Sequence, residues 1–529
     1  MKLPRGGISV ELTLLSPCKD LQMITSSLCT GIFKHDKKKF VDSLDKPILI
    51  IPEPCCFNIE EKIEQLKGQS LMNITKVVDS WDHGYTFIAE KNDGKGFIFG
   101  KDPIGRYSLL MSFKTKYRIT ITTFIEENDE ESYVEIPSGT IIEVTFNDDR
   151  TQFYIKCLSL VDFKNMNTTW TKDILNGQFI QLPNAEKFNI SYKCINDEKL
   201  EVEYASKIGT TLDRIYEDFQ IYKEKSISVM FSGGIDSVAI SYSILKKLPI
   251  NTTLYLINVG VLNDKGIVST PDRGRATTAY KEFKEIFKDN NIIFVCVDLS
   301  KEMIEEAKTS LIYKACRPKL TKMDESIALV QHFAFLGKGY DIENGSKITC
   351  DSNLFINGSG ADEIFGGYMK HRQCYNNTNS YDEIAYCLQK ELFYLGERNH
   401  GRDSRVIEAT RDLINIPNRK VLSPFLTNQF IYFALPIPIN MKSNFEKPRG
   451  EGEKSILRLY LKLQGLSKSV FSQPKQAMQF GSKIGYYENP GIKGTDLISC
   501  TFRDYDSHAL EYMVKSITDK WVVIDNKPI

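Results

Sequence analysis

The chain has 529 residues, which is too long for one ordinary core and predicts two to four domains. Its 68 Lys and Arg residues balance 68 Asp and Glu residues, so no overall field favours nucleic acid or an anionic membrane, and we expect neither as a partner. No apolar run approaches the ~20 residues that span a bilayer, and Glu11 interrupts the stretch that a signal peptide would need. These features predict a cytosolic or nuclear protein, with a cytoplasmic location as the main expectation.

The N-terminal third is dominated by strand-like segments. Alternating and apolar runs separated by Gly, Asp and Pro turns predict strands over residues 84–91, 95–102, 117–124 and 139–146. We therefore predict a domain rich in antiparallel strands over residues 1–160. The polar, Asn-rich residues 161–196 predict a linker.

The rest of the chain alternates helix and strand patterns. An apolar stripe predicts a helix that begins near Asp197. Apolar runs at residues 226–231, 253–261, 291–299 and 349–360 then alternate with helical segments, which predicts a parallel sheet covered on both faces. After Arg372 the pattern is mostly helical. We assign residues 197–529 to this second domain.

A glycine turn interrupts this second domain at residues 232–237, where a predicted strand runs into Ser-Gly-Gly-Ile-Asp-Ser and then a helix. The small residues let backbone N–H groups at the helix start approach an anion, aided by the helix dipole. The sequence contains no Walker motif and no G-x-G-x-x-G after a strand, so these two types of phosphate loop are excluded. A turn that serves connectivity alone is the alternative.

The glycine turn resembles the pyrophosphate loop of the N-type ATP pyrophosphatases, which cleave ATP to AMP and pyrophosphate. Further stretches are similar to asparagine synthetases: Ile356–Arg372, with the letters INGSGADEIFGGYMKHR, and residues 271–276, 423–426, 448–466 and 474–483. The resemblance implies that the C-terminal part is an α/β N-type ATP pyrophosphatase domain, also called adenine nucleotide alpha hydrolase-like.

Residues 84–146 are similar to the class II glutamine amidotransferase domain of asparagine synthetases, which implies an α+β N-terminal domain of the Ntn type. In active members of that class a cysteine follows the initiator methionine, and its own amine activates the thiol. Lys2 stands at that place. We therefore expect no glutaminase activity from this sequence, while a different true start of the protein stays open.

The resemblance also implies the ligands and the residues that hold them. ATP and Mg²⁺ are the expected cofactors, with Asp236 and Asp362 as metal ligands and Lys475 as a catalytic residue that stabilises the reacting phosphate. Helix capping is the alternative role for both aspartates, and Lys475 could equally be a solvated lysine. The residues implied in ATP binding are Phe231, Ser232, Gly233, Gly234, Asp236, Ser237, Val259, Asn357 and Gly358.

The implied function is that of an ATP-dependent amidoligase in asparagine biosynthesis: adenylation of aspartate, then amide formation with ammonia or glutamine nitrogen. One departure bears on the second step, because Ser359 stands where the family carries a glutamate that handles protons. Arg402 and Asp403 could form a structural ion pair or orient a substrate. The alternative function is a nucleotide-binding pseudoenzyme that acts through protein partners. A homodimer stays open.

Overall fold

A computed structural model describes part of the chain, and the described residues are 9–13, 23–24, 48–52, 73–74, 77–78, 81, 84–91, 96–115, 118–125, 133–146, 153–159, 180–181, 188–318, 321–416, 418–474 and 476–486. Within these ranges, no helix is both long and apolar enough to cross a membrane.

The N-terminal strands form two sheets. One has five strands in the order β2-β1-β7-β6-β8, and the other has six in the order β11-β10-β9-β5-β4-β3. Neighbouring strands are antiparallel except for β10 and β11. The strands are β1 (Ser9–Thr13), β2 (Met23–Ile24), β3 (Ile48–Pro52), β4 (Tyr85–Glu90), β5 (Gly96–Lys101), β6 (Leu110–Thr115), β7 (Arg118–Thr122), β8 (Val134–Glu135), β9 (Thr140–Phe146), β10 (Phe153–Ser159) and β11 (Ile180–Gln181).

All four strands predicted in this region are present, as β4, β5, β7 and β9. The sequence analysis did not predict the other seven strands that the structure describes here, which are β1, β2, β3, β6, β8, β10 and β11. Three of them, β2, β8 and β11, have only two residues, which are too few to show a period. The limits at residues 160 and 196 stay predictions.

A seven-stranded sheet organises the C-terminal part, in the order β16-β15-β14-β13-β12-β17-β18. Strands β14, β13, β12, β17 and β18 are parallel to one another. Strands β15 and β16 are antiparallel to their neighbours and form one edge of the sheet. The strands are β12 (Ser226–Met230), β13 (Thr253–Val261), β14 (Asn291–Leu299), β15 (Lys338–Asp341), β16 (Lys347–Thr349), β17 (Leu354–Ile356) and β18 (Lys420–Leu422).

Helices pack around this sheet, as the alternating pattern predicts. They are α1 (Glu198–Asp218), α2 (Ile235–Leu245), α3 (Pro271–Ile286), α4 (Lys301–Ala307), α5 (Tyr313–Ala315), α6 (Lys322–Leu336), α7 (Ala361–Phe365), α8 (Met369–Thr378), α9 (Tyr381–Leu395), α10 (Gly401–Ile414), α11 (Asn428–Ala434), α12 (Ile439–Lys442), α13 (Ser455–Leu463), α14 (Lys468–Phe471) and α15 (Met478–Gly481). A π turn, Gly396–His400, joins α9 to α10.

The helix predicted near Asp197 begins where the sequence places it. The Asp197 carboxylate accepts hydrogen bonds from the backbone N–H groups of Lys199 and Leu200, at 2.9 and 3.1 Å, and so caps α1. Ala205 and Leu212, from the predicted apolar stripe, are fully buried. The three-to-four spacing therefore identified the face that packs on the core.

One helical prediction was too long. The pattern of residues 325–340 predicts one helical segment, but α6 ends at Leu336 and is followed by Gly337 with φ of +64°. A Cβ atom on Gly337 would lie 3.1 Å from the Cβ of Cys350, so this left-handed cap also suits the close packing. The chain then turns into the antiparallel strands β15 and β16.

Buried polar contacts join the N-terminal sheets to the C-terminal part. The Arg106 guanidinium donates to the backbone oxygen of Leu426 at 2.7 Å and to Asn428 Oδ1 at 2.6 Å. Glu135 Oε2 lies 2.7 Å from Arg405 Nη1, and Glu135 Oε1 lies 2.9 Å from Lys101 Nζ. These contacts place the N-terminal sheets against the loops that carry the candidate site.

Candidate functional site

Two loops meet at the carboxyl edge of the C-terminal sheet. Strands β12 and β17 are parallel neighbours, with Val229 opposite Ile356. The glycine turn follows β12, and the Asn357–Gly360 loop follows β17 at the same edge. The sheet thus brings together two segments that are about 120 residues apart in the sequence, at the position where open α/β sheets bind ligands.

Gly233 and Gly358 allow these loops to pack closely. Gly233 has φ of +70°, and a Cβ atom there would overlap the backbone of α3 at Ala276. A Cβ atom on Gly358 would lie 2.9 Å from the Cβ of Asp236. The backbone N–H of Gly234 donates to Ser232 Oγ at 3.2 Å, and Gly234 caps α2. A side chain is excluded at Gly233 by the backbone of Ala276 and at Gly358 by the Cβ atom of Asp236.

Asp236 and Asp362 converge on one ammonium group. Lys454 Nζ lies 2.7 and 2.6 Å from the two carboxylate oxygens of Asp236 and 2.7 Å from Asp362 Oδ1. The side chain of Lys454 is 3% exposed, while those of Asp236 and Asp362 are 19% and 14% exposed. The two aspartates predicted as metal ligands therefore point into the same small volume.

The backbone holds Lys454 firmly in this position. Lys454 has φ of +52°, which non-glycine residues rarely adopt, and its N–H donates to Ser443 Oγ at 2.7 Å. A Cβ atom on Gly367 would overlap both Asp362 and the Lys454 side chain. The sequence analysis did not single out Lys454, and its unusual backbone cannot be read from the letters around it.

Neither aspartate caps a helix. The residues at the N-caps of α2 and α7 are Gly234 and Gly360, and Asp236 and Asp362 lie in the first turns of these helices. The capping alternative is therefore wrong for both. Their position still places negative charge near the positive end of each helix dipole.

The two carboxylates fit Mg²⁺ as a donor set. Mg²⁺ prefers oxygen ligands and is usually held by one or two carboxylates together with substrate phosphates. In the described ranges, no group of three or more His, Cys, Asp or Glu residues is placed to hold a metal ion. A metal at this site would thus depend on oxygens brought by a ligand.

A cavity of about 220 Å³ lies between the two loops. The predicted residues that line it are Phe231, Ser232, Asp236, Ser237, Val259, Asn357, Gly358 and Asp362. Gly233 does not line this cavity, and Lys475 lies outside the described residues.

A smaller pocket of about 50 Å³ adjoins the glycine turn and is lined by Ser232 and Gly234 together with Arg275, Lys454 and Arg458. Arg275 Nε is buried and has no hydrogen-bond partner among the described residues. Three basic side chains beside a helix start form a site suited to an anion. Arg275, Lys454 and Arg458 were missed by the sequence analysis, because single basic residues give no signal of their own.

Arg402 and Asp403 combine the two roles that the sequence left open. Arg402 is buried and forms ion pairs with Asp324 and Asp403, each at 2.6 Å. Both Arg402 and Asp403 also line the main cavity. A structural ion pair thus forms part of the cavity wall.

Glu363, next to Asp362, is already engaged. The Tyr368 hydroxyl donates to Glu363 Oε1, and burial together with the Glu363 charge raises the pKa of Tyr368 well above its ordinary value. Ser359 donates its N–H to Asn357 Oδ1 at 3.1 Å. The loop therefore presents a serine hydroxyl, and no free carboxylate, at residue 359.

Known proteins similar to this chain carry a shared name. A human protein, asparagine synthetase domain-containing protein 1, is 28% identical over 314 residues, which cover 52% of this chain and 47% of that protein. An asparagine synthetase domain-containing protein of Saccharomyces cerevisiae is 29% identical over 462 residues, covering 83% of this chain and 78% of that protein. The chain spans about half the length of several curated relatives it matches.

These relatives confirm the resemblance to the asparagine synthetase family. No model of a protein family matches the sequence. A solved structure of the allosteric regulatory enzyme of purine biosynthesis is 10% identical and covers 56% of this chain and 75% of that chain, with a TM-score of 0.21. That score is too low to show a shared fold.

Proposed function

We propose that this chain, whose sequence is similar to the asparagine synthetase domain-containing proteins, is an ATP-dependent amidoligase. The carboxylate of aspartate attacks the α-phosphorus of ATP and releases pyrophosphate, and ammonia then displaces AMP to give the amide. The observation that carries this proposal is the convergence of Asp236 and Asp362 beside the glycine turn, at the edge of a parallel sheet.

Positioning and charge neutralisation supply most of the catalysis in phosphoryl and nucleotidyl transfer. The main cavity holds the nucleoside and the acid. The smaller pocket holds the pyrophosphate end, where Arg275 and Lys454 offset its negative charge and Ser232 donates hydrogen bonds.

Asp236 and Asp362 would hold Mg²⁺, which would supply positive charge to offset that of the phosphates. Lys475 would add a further cation near the reacting phosphate. Arg402 keeps the opposite cavity wall in place through its ion pairs with Asp324 and Asp403.

The fold assignments belong to the same proposal. The parallel sheet with ligand-facing loops at its carboxyl edge supports an N-type ATP pyrophosphatase domain. The antiparallel sheets support an Ntn-type N-terminal domain. We propose ammonia from solution as the nitrogen source, and we expect the reaction in the cytoplasm.

Exchange of radiolabelled pyrophosphate into ATP tests the first half-reaction. Full-length protein with ATP and Mg²⁺ should exchange label only when aspartate is present. Asp236→Asn and Asp362→Asn should each lower the exchange rate by about a hundredfold. Asp264→Asn, which changes an exposed aspartate, is the matched control and should retain the rate.

The outcomes separate the two functions. Exchange that requires aspartate and both carboxylates supports the amidoligase. ATP binding by calorimetry without exchange would support the nucleotide-binding pseudoenzyme instead, for which Ser359 is the motivating observation. Exchange that survives Asp236→Asn would overturn the proposed site.

A further inference from the structure

A second chamber of about 80 Å³ adjoins the main cavity. Loops of the N-terminal sheets reach it through Arg106 and Tyr107, and α10 forms another wall. The residues that line both spaces are Met230, Gln331, Asn357, Ser359, His400 and Asp403. The chamber therefore meets the main cavity at the serine that replaces the family's glutamate.

Glu408 on α10 lines this chamber with an unsatisfied oxygen. The residue is 7% exposed, and Oε2 is buried with no hydrogen-bond partner among the described residues. Burial raises the pKa of Glu408 to about 7. A buried acceptor without a partner is unfavourable, so this position favours a ligand that brings a hydrogen-bond donor.

The cations near Glu408 are already bound elsewhere. Arg411 Nε donates to the backbone oxygen of Arg419 at 2.8 Å, Arg405 Nη1 pairs with Glu135 at 2.7 Å, and Arg106 donates to the backbone oxygen of Leu426 at 2.7 Å. The charged and titratable residues around the chamber are Arg106, Tyr107, His400, Asp403, Arg405, Arg411 and Asp412. The arginines weaken the shift of the Glu408 pKa without hydrogen-bonding its Oε2.

His400 gives the chamber a second buried polar atom without a hydrogen-bond partner among the described residues. It is 7% exposed, and its Nε2 has no hydrogen-bond partner in the part of the chain that the structure describes. Burial lowers the pKa of His400 to about 4, so the imidazole is neutral at pH 7. A carboxylate and a neutral imidazole facing one small space suit a ligand rich in N–H donors.

We propose that this chamber binds the amine that attacks the activated carboxylate, as ammonium or a small primary ammonium group, and that Glu408 accepts the proton that the amine must lose. This inference rests on the proposed amidoligase function and names the base and the binding site for its second step. Glu408, on helix α10, replaces the function that a glutamate at position 359 of the loop would have.

The proposed step conserves protons and electrons. An ammonium nitrogen gives one proton to the Glu408 carboxylate and becomes a neutral amine with a free electron pair. That pair forms the C–N bond to the acyl carbon, and the C–O bond to the AMP phosphate breaks, with its electron pair leaving on AMP. The nitrogen releases its second proton to solvent, which gives the amide.

Glu408→Gln separates this role from a structural one when two amines are compared. With ammonium, we expect the rate of amide formation divided by the rate of pyrophosphate exchange to fall by about a hundredfold. Hydroxylamine is largely neutral at pH 7 and needs no base, so hydroxamate formation in the same variant should stay within about threefold of wild type. Glu408→Asp should recover part of the activity with ammonium. Glu285→Gln, which changes an exposed glutamate, should leave both ratios unchanged.

An equal loss with both amines, or no loss with ammonium, would overturn the role of Glu408 while leaving the amidoligase proposal intact. Wild-type protein without aspartate-dependent exchange would instead overturn the amidoligase proposal.

In that case the chamber is tested by thermal denaturation in methylammonium chloride against equimolar sodium chloride. A rise in Tm that Glu408→Gln abolishes supports the amine site, and an unchanged Tm in wild type overturns it.

Discussion

Lys454 Nζ lies 2.6 Å from Oδ2 of Asp236, so the acid of the glycine turn is paired with a lysine that follows it by 218 residues. The same ammonium group contacts Asp362 at 2.7 Å. One buried cation thus holds together the two carboxylates that we propose as Mg²⁺ ligands. Lys454 and the metal act on the same pair of charges, which gives the first prediction.

Lys454→Met should make the site depend on Mg²⁺ for its stability. Without the ammonium group the two carboxylates repel each other, and we expect a loss of ~1–3 kcal/mol in the free energy of unfolding without Mg²⁺. Added Mg²⁺ should raise the Tm of this variant more than that of wild type, because the ammonium group that competes for both carboxylates is gone.

Lys468→Met is the control for this experiment, since Lys468 is a surface lysine with 76% of its side chain exposed, paired with Glu451. It should change stability little and respond to Mg²⁺ as wild type does. An Mg²⁺ response of Lys454→Met equal to that of wild type would contradict a shared site.

A pair of glycine substitutions tests the packing of the glycine turn. Gly233→Ala should lower the free energy of unfolding by more than ~1 kcal/mol and weaken ATP binding, since φ is +70° and the new Cβ atom overlaps the backbone of Ala276. Gly274→Ala, one turn into α3, meets open space and should be neutral or stabilise by ~0.5–1 kcal/mol. Urea denaturation and ATP titration measure both effects. Equal effects of the two substitutions would mean that the turn does not need its glycine.

The sequence predicts most of the parallel sheet because its strands are apolar on both faces. Strands β13 and β14 run over residues 253–261 and 291–299, the same limits that the sequence indicates. The short strands β15 and β16 were missed, because a helical pattern ran past Gly337 and their polar sequence carries no period. Strand β18 was missed for a related reason, since three residues are too few to show one.

The site was predictable where a motif is local. The Ser-Gly-Gly-Ile-Asp-Ser turn and the Asn357–Gly360 loop each follow a strand, so the rule that parallel strands end at one edge brings Asp236 near Asp362. Lys454 was not predictable in this way, because its role arises from a left-handed backbone and from packing against Gly367. Glu408 was not predictable either, because its proposed role depends on a buried carboxylate oxygen that has no hydrogen-bond partner among the described residues.

The buried charges between the N-terminal sheets and α10 give a prediction about docking. Glu135→Gln leaves Lys101 and Arg405 without their counter-charge in a buried contact, so we expect a loss of ~3–5 kcal/mol in the free energy of unfolding. The control is Glu203→Gln, which breaks the exposed pair with Lys207 and should cost less than ~0.5 kcal/mol. Chemical denaturation compares them, and equal losses would show that the buried contact does not hold the sheets in place.

Glu408 should make the stability of the protein fall as pH rises. Burial raises its pKa from an ordinary 4.5 to about 7, so the folded state binds this proton more tightly than the unfolded state does. The free energy of unfolding therefore decreases between pH 4.5 and 7 through this residue, by ~3 kcal/mol in total, and the loss persists at higher pH.

Glu408→Gln removes this dependence, because an amide does not ionise. The difference in the free energy of unfolding between the variant and wild type should be small near pH 5 and should favour the variant increasingly up to pH 8. His400 acts in the opposite direction over the same range, since burial lowers its pKa to about 4, but it is present in both proteins and cancels in the difference. Urea denaturation at four pH values from 5 to 8 measures the effect. A difference that does not change with pH would mean that Glu408 ionises in the folded protein as it does in water, and that the chamber offers no buried proton acceptor for an amine.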